Sequence, residues 1–182
     1  MNNKEIYIKL EKAVGDNNVQ EVSNILDQHS DLDLNDENLY TLHPPLCRAA
    51  KKGFYEICKT LIQYGADVNC IKDRLFSPLW GASSGNHLEI VKLLIENGAD
   101  INAYESSTTA ALNEVAAKGH FEIVRSLIEK GADINRLTTT LLFSPLDWSI
   151  SSGHNEISLF LKEKGALSNI NHDYVWSEVG GG

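Results

Sequence analysis

The chain has 182 residues, 42% hydrophobic and 23% charged, with a formal net charge of −9 at pH 7. That balance belongs to globular proteins rather than disordered ones, and its acidity disfavours nonspecific binding to nucleic acid or an anionic membrane. The polar start Met1–Ile6 does not resemble a signal peptide, no run approaches the roughly 20 apolar residues that span a bilayer, and three cysteines without metal-ligand spacing fit reduced thiols, so a cytoplasmic protein is expected.

In chain order, residues 3–35 form a degenerate helical pair. Leu10, Ala13 and Val14 are expected to face inward on the first helix, and Val19, Val22, Ile25 and Leu26 on the second. Lys4, Lys9, Glu11 and Lys12 give this pair a polar outer surface, as an end unit requires. Residues 45–69 follow with a shorter pair. The stretch Ser77–Asn102 is the most regular. Ser77 is a helix N-cap and Pro78 takes the first helical position, where its missing N–H costs nothing. This helix is expected to run to about Gly85 and turn at Asn86-His87. A second helix then places Leu88, Val91, Leu94 and Ile95 on one face, and Gly98 provides a left-handed stop. Residues 111–135 and 145–169 repeat the design, leaving a tail at 170–182. There Tyr174, Val175 and Trp176 either cover the end of the last unit or form a peptide that a partner reads.

The repetition has a fixed period. Gly-Ala-Asp-Val-Asn at 65–69 returns, with Ile for Val, 33 residues on at 98 and again 33 residues on at 131, then in degenerate form 34 residues on at 165. A second landmark keeps the register: Gly53-Phe54, Asn86-His87, Gly119-His120 and Gly153-His154. A period of 33 with two helices and a turn resembles the ankyrin repeat. That family's Thr-Pro-Leu-His opening stands here as Pro44-Pro45-Leu46-Cys47, Ser77-Pro78-Leu79-Trp80, Ala110-Ala111-Leu112-Asn113 and Ser144-Pro145-Leu146-Asp147. The Leu holds in all four, whereas the His, which ties loop to helix in the family, is replaced in all four; the expectation is a less rigid joint and a position free to vary. The resemblance implies an all-α ankyrin-repeat solenoid of about five helix-turn-helix units, near 3–35, 45–69, 78–102, 111–135 and 145–169, in one repeat domain over 1–169. Ala49, Ala82 and Ala116 are small so that neighbouring helices can approach.

No catalytic constellation is found. His87, His120 and His154 recur at one repeat position and so are structural, Ser77 and Ser144 are caps, and Gly-Ala-Asp-Ile-Asn lacks the regularly spaced oxygen ligands of a calcium loop. The expectation is no enzyme activity, no metal and no cofactor.

Function is therefore expected at departures from the family pattern on the concave surface that the resemblance implies, built from loop tips and the inner helices. In the loops, Lys72 and Glu105 stand where the family has Asp, and Leu42, Leu75, Thr108 and Leu142 where it has Gly. Arg74, Phe76, Tyr104 and Phe143 lie beside them, with His43. Leu75-Phe76 and Leu142-Phe143 either contact a partner or pack between neighbouring loops. On the inner helices, Arg48, Lys51, Trp80, Glu114, Asp147 and Trp148 complete the expected partner-binding set. Trp80 replaces the small family His and suits an interface anchor, while Trp148 takes a position often filled by core residues. Positive charge gathers towards the N-terminal half and negative charge further on, so a two-signed protein partner, basic in part, is expected. The first functional expectation is a monomeric binding inhibitor resembling bacterial immunity proteins, which occlude a toxin or enzyme domain. The alternative is an adaptor that recruits a partner. A nucleic-acid or membrane ligand is not expected.

Overall fold

Helix starts and stops in this chain are set by a few side chains, and a computed structural model places them for residues 2–36, 38–39, 43–70, 76–103 and 110–170. All regular structure among the described residues is helical, in two compact units that divide near residue 100. The first unit holds α1 (Asn3–Gly15), α2 (Val19–Gln28), α3 (Pro45–Lys52), α4 (Tyr55–Gln63), α5 (Pro78–Ser84) and α6 (Leu88–Glu96). The second holds α7 (Ala111–Lys118), α8 (Phe121–Glu129), α9 (Pro145–Ser151) and α10 (Asn155–Glu163).

Each unit is a stack of antiparallel helical hairpins. In the first, α1, α3 and α5 form one layer and α2, α4 and α6 the other; in the second, α7 packs on α9 and α8 on α10. Ala49, Ala82 and Ala116 have no exposed surface, so the helices of the inner layer approach without a gap. Ser77 Oγ accepts the Trp80 N–H at 3.1 Å, and Pro78 occupies the first turn of α5 as expected. The helix ends at Ser84, and Asn86 turns the chain with φ +61°, a left-handed conformation that asparagine tolerates. Gly98 follows α6 with φ +90°.

The buried faces differ from the sequence reading in detail. Helix α1 also buries Ile6 and Tyr7, and Tyr7 Oη donates to the Leu34 carbonyl at 3.4 Å. Val19 is half-buried, at the exposed start of α2. On α6 the buried residues are Ile90, Val91 and Leu94, flanked by half-buried Leu88 and Ile95, because the layer contacts centre the stripe between those two positions.

Between hairpins the recurrent Gly-Ala-Asp-x-Asn forms a ladder. Asn69 Nδ2 donates to the Gly98 carbonyl at 3.1 Å while its Oδ1 accepts the Asp100 N–H at 2.8 Å. Asn102 does the same with Gly131 and Asp133, at 3.1 and 2.8 Å. Asn35 bridges to Gly65 and Asp67 at 3.0 and 2.8 Å, so the degenerate first hairpin keeps this rung with only the Asp33-Leu34-Asn35 half of the motif. One side-chain amide thus satisfies two backbone groups that helix ends leave unpaired.

Two of the recurrent histidines, His87 and His154, are wedges. His87 lies over Gly53 and Gly85, where any Cβ would come within 2.4 and 2.6 Å of its ring, and its Nε2 meets the Lys51 carbonyl at 3.2 Å. His154 repeats this over Gly119, with Nε2 3.0 Å from the Ala117 carbonyl.

Candidate partner-binding surface

The fourth residue of the opening tetrad lies in the first turn of each inner helix, and at Cys47 and Asn113 it faces the loop that leads to the next hairpin. Although the histidine is gone, the joint is not. Cys47 Sγ lies 3.5 Å from both the Cys70 and Phe76 carbonyls. Asn113 Nδ2 donates to the Arg136 carbonyl at 2.9 Å and to the Phe143 carbonyl at 3.3 Å. The expectation of a position free to vary is therefore corrected: a thiol, an amide and a carboxylate each rebuild the tie with different chemistry.

The carboxylate is Asp147, which the sequence placed in the binding set. It is fully buried. Its Oδ2 accepts the Ser144 N–H and Oγ–H, both at 2.8 Å, and the Asn169 N–H at 3.0 Å, while Oδ1 accepts the Ser168 hydroxyl at 2.6 Å. Burial pushes this carboxyl up, but the Ser168, Ser144 and Asn169 donors outweigh it and hold the group below the usual carboxylate range. Asp147 is a structural tie, not a contact for a partner.

In the first unit the remaining candidates converge. Phe76 stacks between His43, at 4.9 Å between ring centroids, and Trp80, at 5.5 Å. Lys51 places its ammonium 4.7 Å from the Phe76 centroid, a cation–π contact at the edge of the cluster. Phe76 and Trp80 are half-buried, so each ring is anchored on one side and offered to solvent on the other. The approach is permitted by Gly81, where a Cβ would meet Lys51 and the Phe76 ring at 3.3 and 3.4 Å. Arg48 is exposed, one position beyond the Cys47 tie, and its guanidinium lies over Gly15 at the C-terminal end of α1, where the helix dipole favours a cation. Burial, then Lys51 and Arg48, lower the His43 imidazole below its ordinary value, so it is neutral at pH 7. Phe76 thus packs against the preceding loop and also presents surface; the two readings of this position are compatible.

The second unit repeats the pattern more weakly. Phe143 stacks on Trp148 at 5.2 Å, both half-buried, and Trp148 Nε1 is buried without a hydrogen-bond partner. Leu141 and Leu142 beside them are about half exposed, and Leu142 holds φ +53° at the family's glycine position. Glu114 is paired with Lys118 at 3.0 Å. With Asp147 buried and Glu114 paired, the expected division of charge along the binding face loses two of its three acidic members. Lys118 is what the sequence reading missed, and its (i, i+4) spacing from Glu114 was the available signal. Lys72, Arg74, Tyr104, Glu105 and the Tyr174–Trp176 tail lie outside the described residues.

No cluster of three or more metal-ligating side chains occurs among the described residues, and none of their helices is long and apolar enough to cross a membrane. Family models match most of the chain: one described as "Ankyrin repeats (3 copies)" over residues 10–105 and one described as "Ankyrin repeats (many copies)" over residues 108–161. A "Putative ankyrin repeat protein" of Rickettsia bellii (strain RML369-C) is 39% identical over 67 residues, covering 35% of this chain and 39% of that protein. The chain therefore matches less than half the length of this relative.

Proposed function

Since this chain belongs to the ankyrin-repeat family, a family of protein–protein interaction modules, we propose that it is a non-enzymatic binding protein whose contact surface in the first unit centres on Phe76 and Trp80. The observation that carries this is the half-exposed His43–Phe76–Trp80 stack with Lys51 on its flank. Aromatic rings fixed by packing contribute area at small entropic cost, which is the character of an interface anchor. Lys51 and Arg48 beside a neutral His43 favour a partner that brings a carboxylate to this place, even though the chain as a whole is acidic.

We read the mode of action as occlusion, in the manner of an immunity protein that covers a toxin or enzyme domain. The recruiting adaptor is the second reading, favoured by the exposed Leu141 and Leu142 beside Phe143 and Trp148, a second apolar surface outside the first unit. Affinity capture from the source organism with wild type, Trp80→Ala and the outer-helix control Leu159→Ala tests the surface. Capture that the control keeps and Trp80→Ala loses supports it; equal capture by all three removes it. Assaying the captured protein's own activity at saturating array then separates inhibition from recruitment.

A further inference from the structure

We propose that Cys47 and Cys70 are a thiol-oxidation site that closes to a reversible intramolecular disulfide across the joint between α3 and the loop after α4. Their Sγ atoms are 3.5 Å apart, and both residues are reduced. The proximity is built into the repeat: Cys47 meets residue 70 by the same spacing of 23 residues that carries Asn113 to Arg136. In this repeat alone both ends of that tie are cysteine.

The two thiols differ in access. Cys47 is fully buried on α3, so no external reagent reaches it directly. Cys70 is half-buried at the end of the Asp67–Cys70 turn, where its N–H donates to the Asp67 carbonyl at 3.2 Å. Cys58, the third cysteine, is buried within α4 with its thiol pushed up to about 12, and it takes no part.

The oxidant is a low-molecular-weight disulfide, RSSR. Deprotonated Cys70 attacks one of its sulfurs, forming Cys70–S–SR and releasing RS⁻. Cys47 gives up its proton, its sulfur bonds to Cys70 Sγ, and the second RS⁻ leaves. Two cysteines are oxidised, RSSR is reduced, and the two thiolates released take up the two cysteine protons as two RSH. The sulfurs need only approach from 3.5 Å to about 2.05 Å. Oxidation removes the Cys47 S–H that the Cys70 and Phe76 carbonyls face, exchanging a weak bond to the loop for a covalent one.

The full chain is treated with oxidised glutathione, its remaining thiols are alkylated in denaturant, and a non-reducing digest is mapped by mass. A Cys47–Cys70 linked peptide pair is expected, with only Cys58 alkylated, and dithiothreitol restores all three thiols. Cys70→Ser, at the less buried position, is expected to stay folded by circular dichroism and form no link. Three free thiols after treatment, a lasting glutathione adduct on Cys70, or a link made with equal yield in urea would each overturn the proposal. None of these outcomes depends on partner binding.

Discussion

The Asn169 N–H donates to Asp147 Oδ2 across 3.0 Å, so the turn after the last hairpin is held by a carboxylate in the helix that opens it. The same oxygen caps α9 through Ser144. Asp147→Ala leaves the buried Ser144 donors unpaired, while exposed Ser168 and Asn169 turn to water, and is expected to destabilise the second unit by about 1–3 kcal/mol at pH 7. The carboxyl's folded value lies below its unfolded one. Its contribution is therefore complete above the unfolded value of about 3.9 and is lost as pH falls through the folded value. In urea melts from pH 7 downwards, Asp147→Asn should show a flatter acid limb than wild type. Parallel limbs would show that the carboxylate is not the group being titrated.

How Asp147 was misplaced marks where sequence reasoning stops. The period, the helix pairs and the glycine stops were legible because they rest on local chemistry: Gly65, Gly98 and Gly131 all adopt positive φ, and Ser77-Pro78 starts a helix wherever it occurs. Asp147 shares a tetrad position with Trp80, and one side chain turns inward to a hydroxyl and a backbone N–H 21 and 22 residues away while the other joins an aromatic stack. Nothing local distinguishes them. Likewise Phe76 and Lys51 each stood in the expected binding set, but their meeting over Gly81 depends on the packing of α3 against α5. Tyr7 was missed because its anchor, the Leu34 carbonyl, lies beyond the next helix.

The asparagine rungs make a separate prediction. Asn69 pairs the Gly98 carbonyl and the Asp100 N–H, and Asn69→Ala removes both partners at once. The rung is exposed, so water replaces part of what is lost, and a cost of about 1–2 kcal/mol is expected in denaturant melts. Asn69→Asp, ionised at pH 7, keeps the acceptor for Asp100 and loses the donor to Gly98, so it should fall between wild type and alanine at that pH. A full wild-type stability in Asn69→Ala would mean that the ladder aligns hairpins without stabilising them.

Leu142 holds φ +53° and is 53% exposed. A non-glycine residue there bears a left-handed penalty of about 1–2 kcal/mol, partly offset by the entropy glycine loses on folding. Leu142→Gly is accordingly expected to raise the thermal midpoint modestly, equivalent to up to about 1 kcal/mol. Calorimetry decides it, and a lower midpoint would show that the leucine side chain contributes more by packing on its neighbours than its backbone costs.

His43 supplies a test of the cluster that needs no partner. Its folded pKa is lowered first by burial and then by Lys51 and Arg48. An imidazole so placed favours the folded state fully above its unfolded value of about 6.5, and that contribution declines as pH falls through this range. Proton NMR of the ring should show a midpoint below 6.5. Lys51→Ala together with Arg48→Ala should raise it only part of the way, because the desolvation remains. Complete restoration would reverse the ranking of the two causes.

The rebuilt ties have a consequence for the order in which the molecule comes apart. A family joint made everywhere of the same imidazole would yield to one condition throughout. Here the joints are dissimilar: a thiol at Cys47, an amide at Asn113 and a carboxylate at Asp147. Among these three ties acid should release the one at Asp147 while those at Cys47 and Asn113 persist, whereas a change of thiol state acts on the Cys47 tie alone. Each stress therefore selects its own point of first opening, and amide exchange followed hairpin by hairpin would trace a different sequence of failure in each medium.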